Sequence, residues 1–355
     1  MSGARRVGIL GASGLLGLQL VAMLHRHPAV KSLVPFSRSH RKVPVGGAFP
    51  AFHGLKDLVF ADPADAESSG CDVFFLAMPH GESFPYARSL ASAGATLIDL
   101  SADFRLADAA AFERVYGVPH GAPELLERFR LVVPEINGAD LDASTKLVAV
   151  PGCTATAVIL ALYPLVQAKL LASPSILVDA KTSSSGAGNK AAEASQSHLN
   201  RVGGVRVHKL LGEHRHRHEI ASFLEARTGT RPVVSLNTFA VDLVRGLSAA
   251  VYLDVAQGTS TKALFRAYRD AYGSAPCVRV IRLNAGFERF PNPKLCARTN
   301  FCDIGFQVDE ATGKAVVVAA LDNLLKGGAG QAVQCFNRLV GRDDAEGVPL
   351  TPAFP

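Results

Sequence analysis

An apolar strand that runs into a glycine turn and then a helix constrains this chain more than any other feature. Residues 7–10 (VGIL) read as a buried strand, and residues 11–17 (GASGLLG) carry G-x-x-G-x-x-G spacing. Leu16, Leu20, Met23 and Leu24 then recur at helical spacing up to Pro28. Strand, tight turn and helix in that order let a pyrophosphate approach the unpaired N–H groups of the helix start. Gly11, Ser13, Gly14, Leu15 and Gly17 are therefore expected to hold a dinucleotide, the alternative being a turn with a structural role only.

The next strand, residues 32–36, ends where an NAD enzyme usually places an acid for the ribose hydroxyls, but here Ser37 and Arg38 lead a basic stretch (SRSHRK). A hydroxyl and cations suit a 2′-phosphate, so NADP(H) is the expected cofactor unless the stretch is only a solvated loop. Two further strands, residues 73–77 and 96–100, run into MPHG and SADFR. In a doubly wound sheet the carboxyl ends of strands face the ligand crevice, which places Pro79, His80, Ser101 and Arg105 there. Arg105 suits a phosphate as a planar fork, or an ion pair with Asp103. Glu113 and Arg114 read as a solvated helix face.

A second strand-turn-helix lies mid-chain. Residues 147–150 are apolar, Pro151-Gly152 turns, and Cys153 opens a helical run. A thiol at a helix start feels the positive end of the helix dipole, which favours the thiolate and makes Cys153 a candidate nucleophile as well as a candidate small buried residue. Downstream, the strand at residues 175–180 enters KTSSSGAG, whose Ser184 and Gly186 suit close approach to a flat ring, or a flexible connector. His208 and the run EHRHRHE (residues 213–219) follow. If that run is extended, His214, His216 and His218 share a face, which raises a metal site, yet no other cysteine or carboxylate set has ligand spacing. A general acid/base for Cys153 uses the histidines better, with a surface patch as the alternative. Apolar alternation over residues 233–255, including 241–247, reads as strands, as do residues 302–308 and 315–320. Residues 262–272 form an amphipathic helix, and residues 321–331 break into a helix that ends at Leu339.

At 355 residues the chain has room for two domains. The apolar run over residues 147–166 is broken by Pro151, Gly152 and Pro164, so it is not a membrane span, and no apolar leader precedes the first strand. Six scattered cysteines without C-x-x-C spacing suit a reducing cytoplasm and no structural metal. The net charge of +6 suits an acidic partner or phosphorylated substrate, while dispersed cations and 7% aromatic content argue against nucleic acid.

With these residues in view the sequence resembles the N-acetyl-γ-glutamyl-phosphate reductases and their aminoadipyl-phosphate relatives, within the semialdehyde dehydrogenase superfamily. GASGLLG, LAMPHG, DLSADFRL, PGCTATA, SSSGAG, HRHRHEI and DNLLKGGAGQAVQ stand in family order over nearly the whole chain. The resemblance implies an α/β fold in three parts. These are a Rossmann-type NADP-binding domain (1–152), a central α+β catalytic and dimerisation domain (153–322), and a C-terminal segment (323–355) whose helix returns to the first domain. It implies Cys153 as nucleophile and His216 as acid/base, with His214 beside it and Glu219 in support. Asn323 joins the candidate cofactor residues, and Ser101, Arg105, Arg114, His208, His214 and Glu219 form the candidate substrate set.

Three features look like the branch that reduces acyl phosphates on an acidic amino-group carrier protein. They are Ser197-His198-x-x-Arg201 with Val205-Arg206, residues 298–306 (RTNFCDIGF), and the terminal Phe354-Pro355. The free-substrate branch, acting on N-acetylated substrate, usually has Tyr or Phe where Thr154 follows PGC. His208, where the family commonly has Tyr, and Arg217-His218 before Glu219 depart from the pattern. The implied protein is a cytoplasmic homodimer or homotetramer; a non-catalytic NADP-binding sensor is the alternative of another class.

Overall fold

The computed structural model describes residues 3–106, 108–142, 144–188, 197–212, 214–282, 285–286 and 288–352. The chain divides into two compact units, Met1–Pro151 with Gly328–Val348, and Gly152–Gly327 with Pro349–Pro355.

The first unit begins with β1 (Arg5–Leu10), α1 (Leu15–Leu24), β2 (Val30–Phe36), the single turn α2 (Val45–Ala48), β3 (Val73–Leu76) and α3 (Phe84–Ser92). It continues through β4 (Thr96–Asp99), α4 (Ala109–Tyr116), β5 (Arg130–Leu131), the single turn α5 (Pro134–Asn137) and β6 (Leu147–Ala149). The strands form one parallel sheet in the order β2-β1-β3-β4-β6-β5. β3, β4 and β6 are buried at every residue, which is why they read as continuous apolar runs: helices cover both faces of such a sheet. Adjacent residues of β3 point to opposite faces. Phe74 and Leu76 pack with Phe84 and Leu90 of α3 and Phe112 of α4.

The second unit opens with α6 (Cys153–Gln167), then β7 (Ser175–Thr182), β8 (Val205–Lys209), α7 (His216–Thr228), β9 (Val233–Val241) and β10 (Leu247–Asp254). α8 (Thr261–Tyr272), β11 (Val278–Val280), the single turn α9 (Pro293–Cys296), β12 (Cys302–Asp309) and β13 (Lys314–Leu321) complete it. Its mixed sheet has the order β11-β12-β13-β10-β7-β9-β8. α6 is buried nearly throughout, although Pro164 lies inside it. Proline removes the N–H that would bond Leu160 O and crowds the preceding turn. Two hydroxyls of α8 repair the loss: Tyr272 donates to Leu160 O at 2.9 Å and Tyr268 to Ala161 O at 2.5 Å.

The alternation read across residues 241–247 is not one strand. Residues 242–246 turn between β9 and β10, because Gly246 takes φ +107° and the Leu243 and Val244 carbonyls accept from Ser184 and Ser185 N–H.

After β13 a π-helical turn (Leu325–Ala329) leads into α10 (Gly330–Leu339). α10 belongs to the first unit, where the Phe336 ring lies 6.0 Å from Phe75 on the sheet face opposite Phe74, and Gln334 donates to Glu135 at 2.9 Å. The segment expected as 323–355 is thus divided. Residues 323–327 stay with the second unit, and Pro349 O accepts from Asn300 N at 2.7 Å there. Phe354-Pro355 lies outside the described residues. Among the described residues no helix is long and apolar enough to cross a membrane.

Candidate active site

The first unit builds a dinucleotide cradle from main chain. Gly11 turns at φ +79° beneath Ala77 O, and Gly17 lies so close to the turn that a Cβ there would stand 2.3 Å from Gly11 O. A Cβ at Gly14 would meet only Gly11 O, at 3.3 Å, so that side of the turn is open. Gly14 caps α1 without a side chain, so no side-chain cap competes with a ligand for the first-turn N–H groups beginning at Leu15. These features fit a pyrophosphate. Ser37, buried, shares a hydrogen bond of 2.8 Å with Ser13, which joins the end of β2 to the glycine turn. Arg38 is exposed and pairs with Glu82, beyond the exposed Pro79, whose carbonyl accepts from Glu82 N.

At the carboxyl end of β4 two buried carboxylates organise the neighbouring loops. Asp99 accepts from Ser101 N at 3.1 Å and Ser101 Oγ at 2.9 Å. Asp103 accepts from Gly81 N at 2.7 Å, from Ser83 N at 3.3 Å and from the Ser83 hydroxyl, tying the loop after β3 to the loop after β4. Burial, reinforced by the Asp103 charge, pushes Asp99 up to about 7. Asp103 was legible only as a partner for Arg105; instead it binds the 81–83 turn, and Arg105 Nη2 donates to Leu100 O at 2.8 Å. Ser101, expected to meet substrate, spends its hydroxyl inside this network. His80 is exposed beside the Tyr116 ring, and Arg114 is exposed on α4, outside the network.

In the second unit Cys153 is the first residue of α6, and Gly152 is its cap. Gly152 N donates to Glu219 Oε2 at 2.9 Å, while Glu219 Oε1 lies 3.9 Å from His216 Nε2. Glu219 is fully buried on α7, one turn after His216. The histidines do not share an extended face: His216 begins α7, because Glu219, Ile220, Phe223 and Leu224 recur at helical spacing and bury that side. His214 precedes the helix, accepts from His216 N at 3.3 Å, and lies edge-on to the His216 ring at 4.6 Å and the His208 ring at 6.4 Å. Burial, then His216 and Arg215, pull His214 down to about 2, so it is neutral at neutral pH.

Sequence reading missed the wall behind the thiol. A Cβ at Gly327, in the π-helical turn, would stand 2.6 Å from Cys153 Cβ and 3.1 Å from its Cα. Asp322 anchors that turn: its carboxylate accepts from Leu324 N, Leu325 N, Arg298 N and Arg245 Nε, and its carbonyl accepts from Gly327 N. Asn323 Oδ1 accepts from Gly246 N at 2.8 Å and Ser183 Oγ at 3.0 Å, which joins the turn to the Ser-Gly loop. Ser184 in that loop bonds His198, and Gly186 is exposed. Among the described residues no group of three or more His, Cys, Asp or Glu is placed to hold a metal ion.

Residues 6–144 match the semialdehyde dehydrogenase NAD binding domain, and residues 153–323 match the semialdehyde dehydrogenase dimerisation domain. The chain belongs to the semialdehyde dehydrogenase family, and its first unit is a nicotinamide-dinucleotide domain. It is 39% identical over 351 residues, 99% of both chains, to a putative [LysW]-L-2-aminoadipate/[LysW]-L-glutamate phosphate reductase of Cenarchaeum symbiosum. It is 38% identical to the [LysW]-L-2-aminoadipate 6-phosphate reductase of Deinococcus radiodurans, over 99% of this chain and 98% of that one. In fold it is similar to aspartate semialdehyde dehydrogenase II of Vibrio cholerae, with TM-score 0.72, 18% identity, and 96% and 99% of the two chains covered.

Proposed function

We propose that the chain reduces a side-chain acyl phosphate, glutamyl or aminoadipyl phosphate carried by its amino group on the carrier protein LysW, to the semialdehyde, with NADPH as reductant. The observation that carries the reading is the Glu219 carboxylate, which holds the main chain one residue before the thiol and lies against His216. The names of the full-length relatives supply the substrate and its carrier. Arginine-type biosynthesis on N-acetylated substrate is the competing use of the same machinery.

On this reading the first turn of α6 favours the Cys153 thiolate, which attacks the acyl carbon and expels phosphate. The resulting thioester accepts hydride where a carboxylate would not, a hydride that NADPH would supply when bound. His216 protonates the oxygen of the thiohemiacetal and takes the proton back as the C–S bond breaks and the semialdehyde leaves. His214 is a neutral imidazole at neutral pH and accepts from the His216 main chain, which leaves the acid/base role to His216. Ser13 and Ser37 would hold the adenosine ribose, and Arg38, paired here with half-buried Glu82, would hold the 2′-phosphate. On the same reading Ser184, Gly186 and Asn323 would contact the nicotinamide, and Arg105 and His208 the substrate. A second copy of the chain covers the half-exposed sheet face that carries Leu177 and Tyr252.

Cys153→Ala tests the reaction. Phosphate-dependent NADP⁺ reduction with the semialdehyde should fall at least about 1000-fold while NADPH still binds. Retained turnover overturns the assignment. Turnover of the N-acetylated substrate with none of the carrier-linked one overturns the carrier reading alone.

A further inference from the structure

We infer that Arg201 is a carboxylate-binding residue of the substrate pocket. This rests on the acyl-phosphate reductase reading for the identity of the ligand, and on geometry for the existence of the subsite.

Arg201 is 4% exposed, yet among the described residues it has no acidic partner. Its Nη1 donates to Thr182 O at 2.9 Å at the end of β7, and its Nε is buried without an acceptor. A buried, uncompensated guanidinium is expensive, and burial accordingly disfavours its charged form. The bond to Thr182 uses one nitrogen and leaves the Nε–Nη2 edge, the edge that accepts a carboxylate side-on with two parallel hydrogen bonds. The same unit shows that edge in use: Arg279 grips Asp303 through Nε at 2.6 Å and Nη2 at 2.9 Å. Arg201 has the fork without the acid.

The turn that presents Arg201 is built to hold it. Arg201 N donates to His198 O at 2.8 Å and Gly204 N donates to Arg201 O at 3.0 Å. His198 Nδ1 bonds Ser184 Oγ at 3.1 Å. The acid that reaches this turn, Asp242, accepts from Gly203 N at 3.0 Å and lies 3.9 Å from His198, so it braces the turn and does not neutralise Arg201. Two hydrogen-bonded steps then lead toward the nucleophile: Thr182 precedes Ser183, which donates to Asn323, and the Asn323 turn carries Gly327 against Cys153.

An amino acid phosphorylated on its side-chain carboxyl and blocked on its amino group has one anion left besides the phosphate, its α-carboxylate. The phosphate leaves from the carbon that Cys153 attacks, so it belongs at the start of α6, whereas Arg201 is anchored on β7. The α-carboxylate, or a carboxylate of the carrier segment next to it, is the group that fits Arg201.

Arg201→Met, nearly isosteric and apolar, tests this beside Arg201→Lys, which keeps the charge and loses the fork. With the carrier-linked acyl phosphate, Arg201→Met should raise KM about 10- to 100-fold, the worth of charge-assisted hydrogen bonds, with kcat within a few-fold and KM for NADPH unchanged. Its Tm should stay level or rise, because the change removes an unpaired buried cation. Arg201→Lys should fall between. N-acetylglutamine, whose single anion is an α-carboxylate, serves as a competitive inhibitor: loss of inhibition in Arg201→Met assigns the substrate's own carboxylate, and retained inhibition with a raised KM assigns the carrier's. An unchanged KM, a raised KM for NADPH alone, or a variant that unfolds overturns the inference. If the parent turns over no acyl phosphate, the reductase reading fails by itself, and a Tm rise with N-acetylglutamine in the parent but not in Arg201→Met still decides the subsite.

Discussion

The two units each place a glycine where no other residue fits, and the neighbour differs in kind. In the first unit Gly17 presses on main chain, Gly11 O and Ala12, so the close approach shapes a turn whose open side, at Gly14, faces a ligand. In the second unit Gly327 presses on a side chain, the Cβ of Cys153, so the close approach crowds the thiol proposed as nucleophile. Glycine in the first case shapes a main-chain turn and in the second leaves room for the Cβ of a cysteine. A side chain at position 327 would collide with Cys153 Cβ, and the Asp322 hydrogen bonds hold the main chain of that turn in place.

The largest effect expected from this contrast is on folding of the first unit. Gly17→Ala puts a methyl 2.3 Å from Gly11 O and 2.6 Å from Ala12 Cα, atoms that cannot rotate away. It should destabilise the protein by about 3 kcal/mol, read by denaturant unfolding, with NADPH affinity lost in parallel. If Gly17→Ala keeps parental stability and affinity, the turn is looser than its geometry states.

Gly327→Ala should act differently. Moving the sulfur by about 1 Å should cost kcat about 100-fold, with KM for NADPH unchanged. The contact with Cys153 has its own signature: Gly327→Ala should lower Tm in the parent and lower it less in Cys153→Gly, which lacks the clashing Cβ. Equal losses in both backgrounds, or a parental kcat, remove the wall from the mechanism and erase the contrast between the two glycines.

How much of this the sequence disclosed follows the range of the interactions. The parallel strands, the glycine turn and Cys153 at the start of α6 are local patterns, and they fall where periodicity put them. The period-two spacing of the histidine run would give a shared face only in an extended segment, and sequence alone left that conformation open. The burial of Glu219, Ile220 and Phe223 on a helix that packs against α6 makes it a helix start. Glu219 reaches Gly152 across 67 residues, and Asn323 reaches Ser183 across 140. No window along the chain contains both partners. Arg201 was visible as part of a motif, but its unpaired fork emerges only once Asp242 is seen bonded elsewhere. Pro164 was read as breaking an apolar run, and the tyrosines that let α6 continue through it stand over 100 residues away.

The smallest effect tests the other contrast between the units, carboxylates that build loops against a carboxylate, Glu219, that holds the cap of α6. Asp99 releases its proton near 3.8 in an unfolded chain and near 7 in the folded one, so the folded state binds the extra proton between those values. Its contribution to stability is highest when both states are protonated, falls as pH rises from 3.8 to about 7, and is level above. Asp99→Asn keeps an acceptor for Ser101 N and cannot ionise. The Tm difference between Asp99→Asn and the parent should therefore shift in favour of the variant from pH 5 to pH 7 and stay constant from pH 7 to pH 9. His27, His120 and His214 are all lowered by burial and cost stability as pH falls below 6.5, but they do so in both proteins and cancel in the difference. A pH-independent difference would mean that Asp99 folds already ionised, and that the Asp103 loop tolerates two adjacent charges.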